Sequence, residues 1–127
     1  MSYIKYGNRK VQFNGIVFDS LKERDRYIDL TILEKAGKIK HLETQVPFEL
    51  IPTQYEPSTE VYKSGPNKGL PKPGKVIERA CTYFADFAYF TADGDYVVED
   101  TKGLKTKEYR IKKKLMLYVH GIKIVEL

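Results

Sequence analysis

The chain is poor in the residues that build covalent or zinc-stapled frameworks. A single cysteine, Cys81, and two histidines, His41 and His120, stand among its 127 residues. One thiol excludes an intramolecular disulfide framework, and with two unpatterned histidines it makes a structural zinc site a poor fit. Long apolar runs are missing too: no stretch approaches the ~20 residues a bilayer-spanning helix needs, and Met1 to Gly7 lacks the apolar core of a secretory leader. No internal repeat is visible. These absences point to a soluble, cytoplasmic protein with no membrane partner. What is present suits a globular fold: 42% of residues are hydrophobic, with ten Tyr and six Phe, enough for a single domain over residues 1–127.

Charge is unevenly placed. The net charge is +5, yet residues 101–127 alone carry Lys102, Lys105, Lys107, Arg110, Lys112, Lys113, Lys114 and Lys123 against Glu108 and Glu126. Basic charge concentrated in one segment suits a polyanion such as nucleic acid. It equally suits a solvated helix face.

Element signals follow in order. Two short apolar runs flank Asn14-Gly15, a strong hairpin signal. A helix is expected from about Ser20 to Ala36, capped by Ser20 and stopped at Gly37, with Lys22, Arg24, Arg26 and Asp29 on its polar face. Ile39 to Ile51 reads as extended, with Pro47 marking an edge or irregular strand. Five of the six prolines, with Gly65, Gly69 and Gly74, fall within 52–74, which reads as a long loop or a flexible hairpin about Ser64-Gly65-Pro66-Asn67. Val76 to Phe90 reads as one long central strand, apolar on both faces, and Tyr96 to Lys102 as its hairpin partner. Thr106 caps a second expected helix to about His120, with Ile111, Leu115 and Tyr118 as its apolar stripe; Gly121 ends it before a short strand over Ile122 to Val125.

The chemistry concentrates at Asp86 and Asp100-Thr101-Lys102. If Ala92-Asp93-Gly94 form a three-residue turn, Thr91 faces Asp95 and Asp86 faces Asp100 across the ladder. Opposed Cβ atoms lie about 4.5–5.5 Å apart, where like charges repel, so a cation between them is the natural remedy. Hard cations such as Mg²⁺ or Mn²⁺ accept two carboxylates and keep several waters, and the Thr101 carbonyl offers a further oxygen. Alternation puts Lys102 on the Asp100 face, where it would polarise the attacking water or stabilise developing phosphoryl charge. The same alternation turns Glu99 away. The bland alternative is an ion pair of Asp86 with Arg79 or Lys102. Glu23 also has two readings: Ser20-x-x-Glu23 is a capping box, and Glu23 is a third acid presented from the first helical turn. Gln45 is a possible helper or a plain polar edge residue.

Asp86 followed by Asp100-x-Lys102-Gly103, each reached through an apolar strand, resembles the Asp…(Asp/Glu)-x-Lys pattern of the restriction-endonuclease-like nuclease superfamily. More narrowly, Phe18-Asp19-Ser20-x-x-Glu23, Tyr83-x-Ala85-Asp86-Phe87 and Val97-Val98-Glu99-Asp100-x-Lys102-Gly103 look like small phage-encoded nucleases of that superfamily. The resemblance covers most of the chain outside 52–74. It implies an α/β fold with an α-β-β-β-α-β core, a central mixed sheet flanked by helices, here preceded by a hairpin. It further implies Mg²⁺-dependent (or Mn²⁺-dependent) DNA cleavage, with branched or recombination-intermediate DNA among the substrates of relatives. By position, Glu23 takes the helix acid, Asp86 the central ligand, Asp100 the second ligand and Lys102 the catalytic lysine. Lys105, Lys107, Arg110, Lys112 and Lys113 then become candidate DNA-backbone contacts, and paired cuts on two strands would favour a homodimer. Two rivals stand beside this reading: a nucleic-acid-binding module that keeps the fold without cutting, and a structural protein whose acids are simply ion-paired.

Overall fold

The computed structural model describes residues 10–127; the segment Met1 to Gly7 lies outside the described residues. Strands β1 (Val11–Phe13) and β2 (Ile16–Phe18) pair about Asn14 and Gly15, both left-handed at φ 51° and 76°, the backbone a tight two-residue hairpin turn requires. Helix α1 (Leu21–Lys35) opens on Ser20, whose hydroxyl accepts the Glu23 N–H at 3.1 Å. It closes before Gly37, held at φ 75°. Then follow β3 (Ile39–Ile51), β4 (Gln54–Tyr55), β5 (Val76–Glu78), β6 (Cys81–Thr91), β7 (Tyr96–Asp100), α2 (Lys107–His120) and β8 (Val125–Glu126). The main sheet runs β3-β6-β7-β8, antiparallel except for the parallel β7–β8 pair. Apart from the first hairpin and the β4–β5 ribbon, the order is α-β-β-β-α-β, the mixed α/β arrangement expected. No helix among the described residues is long and apolar enough to cross a membrane.

The β6–β7 turn has the expected three-residue loop. Thr91 N–H donates to the Asp95 carbonyl at 2.8 Å, Gly94 takes φ 92°, and pairs such as Phe87–Glu99 and Phe90–Tyr96 carry the register that sets Asp86 opposite Asp100. Side-chain alternation, however, does not run evenly along β6. Tyr83 and Ala85 pack with Tyr109 and Met116 of α2, whereas Phe87 and Tyr89 pack with Leu30 and Tyr27 of α1. A regular strand would keep all four on one face. The strand therefore turns over at Asp86. Its neighbour β3 turns with it: Gln45 sits at φ 50° while the pairs Thr44–Phe87 and Val46–Ala85 hold their register on either side.

Several expectations need correction. The expected Val76–Phe90 strand is two strands, β5 and β6, because residues 54–78 fold back as a separate exposed ribbon. The 52–74 segment is thus a hairpin arm, carried past its paired strands by bonds such as Tyr62 N–H to the Leu70 carbonyl at 3.0 Å. Gly74 is required where the two sides cross, since a Cβ there would lie 2.3 Å from the Glu56 carbonyl oxygen. On α2 the expected stripe holds only at Leu115, which packs partly buried against the core: Ile111 is exposed and Tyr118 is 87% exposed, while Tyr109 and Met116, seven residues apart, are fully buried. The last strand begins at Val125, not Ile122.

Helix α1 holds to the sheet through an unusual stripe. Its inward positions, Glu23, Arg26, Tyr27 and Leu30, have ideal i, i+3, i+4, i+7 spacing, but two of the four are charged. Arg26, expected on the polar face, instead forms a two-pronged pair with Glu99 at 2.8 and 2.7 Å. The Tyr89 hydroxyl donates to the same carboxylate; burial, with Glu99 beside it, pushes that phenol up to about 12. Glu99 is 1% exposed and points away from Asp86, as alternation requires. Removing one partner of a buried pair strands the other charge. Arg26→Ala is expected to lower unfolding free energy in urea by about 3 kcal/mol, and adding Glu99→Gln to recover part of it. A loss below about 1 kcal/mol would mean the pair does not anchor α1.

Candidate active site: a buried carboxylate pair

Glu23 reaches the site because the cap that starts α1 puts it on the first inward position. Its N–H bonds Ser20, and one carboxylate oxygen accepts a long bond, 3.3 Å, from Asp19 N–H. The reciprocal half of a capping box should fall on the N-cap residue itself. Here it falls one residue earlier and leaves the carboxylate aimed inward. Glu23 therefore joins the cap through its backbone and one carboxylate oxygen, while the carboxylate also reaches the cavity wall.

Asp86 enters from the turned-over point of β6. One oxygen, Oδ2, accepts the Thr101 N–H at 2.8 Å and the Thr101 hydroxyl at 2.9 Å. The other, Oδ1, meets only the Gln45 amide at 3.4 Å, and that same amide nitrogen donates to Glu23 Oε1 at 3.1 Å. Gln45 thus bridges the two acids, and its left-handed backbone is what brings it there. A non-glycine residue in that region is costly and tends to occur where a site requires it. Sequence alone suggested Gln45 only as one of two readings; a positive φ inside a strand leaves no composition signal.

Glu23 is 3% exposed and Asp86 8%. Both line a cavity of about 470 Å³ with Asp19, Thr101, Lys102, Gly103 and the lysines Lys10 and Lys22. Burial, and next the Asp86 charge, push Glu23 from an ordinary 4.5 up to about 7. Burial also raises Asp86, and Asp100 adds to the rise, while the Thr101 bonds and the Lys102 charge oppose it. Among the described residues neither acid forms a salt bridge, and neither Arg79 nor Lys102 pairs with Asp86.

Asp100 stands behind this wall rather than in it. Its Oδ2 accepts the Tyr83 hydroxyl at 2.6 Å and lies 3.6 Å from Lys102 Nζ, and its Oδ1 accepts the Lys102 N–H at 2.8 Å. Lys102 Nζ also lies 5.5 Å above the Tyr109 ring. Asp100 and Tyr109 therefore hold Lys102 at the cavity rim. The expected basic contacts scatter. Lys112 donates to the Thr82 carbonyl at 3.0 Å and pairs with Glu108, beside a smaller cavity it shares with Lys102. Lys105 and Lys113 both pair with Glu126, and with Arg110 they line a different cavity. Lys107 is exposed. Lys10 and Lys22, neither expected at the site from sequence, line the same cavity as Lys102, and Lys22 also donates to the Leu127 carbonyl.

Among the described residues no three His, Cys, Asp or Glu side chains converge as a ready-made metal cage. The donors still fit a hard divalent cation. Two buried carboxylates share only one amide between them, Asp86 Oδ1 is nearly unbonded, and such ions keep waters as their remaining ligands.

Fold and site together define a small α/β domain with a paired-carboxylate cavity beside a mixed four-stranded sheet. Residues 3–124 match the family described as Protein of unknown function (DUF1064), and the chain belongs to that family. No curated protein and no solved structure matches it.

The raised Glu23 has a pH consequence. Between about 4.5 and 7 the folded chain keeps a proton that the unfolded chain has lost, so stability falls as pH rises through that window and levels above it. Glu23→Gln removes this slope. Urea unfolding from pH 5 to 8 should show the variant gaining on wild type by about 3 kcal/mol across the range; parallel profiles would show that Glu23 is not buried as a strained acid.

Proposed function

We propose that this chain is a metal-dependent DNA endonuclease of the restriction-endonuclease-like class that hydrolyses phosphodiester bonds. The observation that carries the reading is the burial of Glu23 and Asp86 on one cavity wall, with no salt bridge to either among the described residues and with Lys102 at its rim. A repulsive arrangement of this kind is sustained most simply by a bound cation.

Asp86 and Glu23 would hold Mg²⁺ or Mn²⁺, with the Thr101 carbonyl as a further oxygen. Once bound, such a cation supplies Lewis acidity toward the scissile phosphate and the water that attacks it. Asp100 acts mainly by orienting Lys102, and would contribute an oxygen directly on giving up its bond from Tyr83 or Lys102. Lys102 holds positive charge where the phosphoryl oxygens gain negative charge. Lys10 and Lys22 flank the same cavity and draw the phosphate backbone toward it, a salt-dependent attraction that does not read sequence.

The test is nicking of supercoiled plasmid and of branched DNA with Mg²⁺ or Mn²⁺. Wild type should cut, Asp86→Ala and Lys102→Ala should each lose at least about a hundredfold, and Glu23→Gln should be impaired at low metal and partly restored at high metal. Equal cutting by all four proteins would remove these residues from the chemistry. Binding of DNA by wild type with no cutting under any condition would favour the non-catalytic module.

A further inference from the structure

On the far side of Tyr109, α2 and β8 enclose a second cavity of about 530 Å³ that shares no residue with the carboxylate cavity. Arg110, Lys113, Lys114 and Leu117 stand at i, i+3, i+4 and i+7 on α2, so one helix face delivers three cations and one aliphatic side chain to it. Lys105 and Lys123 add two more cations. Glu126 is the acid that answers them, and it is already engaged. Lys105 at 3.3 Å, Lys113, and the Tyr109 hydroxyl at 3.1 Å all converge on its carboxylate, which they hold below the usual carboxylate range. Among the described residues Arg110, Lys114 and Lys123 make no salt bridge.

The cavity floor is apolar. Ile124 and Tyr109 are buried beneath it, and Leu117, 57% exposed, lies open beside them. Like charges gathered on one face repel each other at some cost to the isolated helix. A ligand that offsets this cost must be anionic, and one that also covers Leu117 must carry an apolar group. A phosphate backbone supplies the charge but leaves the floor wet. An acidic peptide with a large apolar side chain supplies both. The place suits such a ligand, since β8 is the outer strand of the sheet and, among the described residues, no strand pairs with its outer edge, where an extended segment can lie.

We propose that the α2–β8 cavity docks an acidic peptide segment of a partner protein. One large apolar side chain sits on Leu117 and Ile124, and flanking carboxylates meet Arg110, Lys114 and Lys123. The site is separate from the carboxylate pair and does not depend on the nuclease reading. It gives the +6 of residues 101–127 a use other than gripping DNA at the cleavage site.

Fluorescence anisotropy with a labelled acidic peptide bearing one central Phe tests this on the full chain. The control probes are the same peptide with Ser in place of Phe and a single-stranded oligo-dT of equal charge. The Phe peptide should bind, and the Ser peptide should bind roughly tenfold more weakly, the value of one buried apolar group. Arg110→Glu with Lys114→Glu should weaken binding by roughly tenfold or more while leaving the thermal midpoint near wild type, because both side chains are exposed. In NMR titrations the Leu117 and Ile124 methyl signals should shift with the Phe peptide. Failure of the Phe peptide to bind, equal binding of the Ser peptide, or methyl shifts confined to other surfaces would each overturn the proposal. Preferential oligo-dT binding, lost in the double variant, would overturn it too and assign the cavity to nucleic acid.

Discussion

Two carboxylates, Glu23 from a helix and Asp86 from a central strand, are buried side by side with the Gln45 amide between them, and among the described residues neither forms a salt bridge. Each buried acid would cost several kcal/mol if ionised and unpaired, a sum comparable to the whole stability of a domain this size. Much of the surrounding architecture bears on that conflict. Thr101 spends both its N–H and its hydroxyl on Asp86, and Gln45 occupies a left-handed backbone conformation that carries its amide between the acids. Arg26, half-buried, pairs with the buried Glu99 and ties α1, which carries Glu23, to the sheet. Proton retention by Glu23 relieves the repulsion, and a bound divalent cation would relieve it as well.

The parts of this arrangement governed by local backbone chemistry can be read from sequence. Ser20 and Thr106 cap the helices they were expected to cap, Gly37 and Gly121 end them, and the turn at residues 92–94 sets the register that opposes Asp86 to Asp100. Glu99 turns away for the same reason of alternation. What escaped depends on partners distant in the chain. The inward stripe of α1 is half charged, so no hydrophobic periodicity reveals it, and Arg26 looks like solvent-facing charge until Glu99, 73 residues on, is placed beneath it. The turnover at Asp86 is a paired distortion of two strands, and strict alternation assigns Tyr83 and Phe87 to one face when they belong to two. On α2, an apolar spacing at Ile111, Leu115 and Tyr118 pointed correctly only at Leu115, because Tyr109 and Met116 are the side chains buried against the sheet.

Basic charge, too, proved to be divided. Lys102 stands at the acids, Lys112 beside the neighbouring cavity, and Lys105, Arg110 and Lys113 around the α2–β8 cavity. A segment that reads as one cationic stripe is wrapped by the fold onto separate surfaces, with Tyr109 bordering two of the cavities. The exposed 54–78 ribbon adds a further surface, held in shape by its own backbone bonds.

The central claim is that Glu23 and Asp86 form a cation site. Anomalous diffraction from crystals soaked in Mn²⁺ tests it most directly. One strong peak is expected within about 2–2.5 Å of both carboxylates, with the Gln45 amide displaced from between them. Crystals that take up Mn²⁺ elsewhere, while Gln45 still bridges Glu23 and Asp86 with no peak beside them, would contradict it.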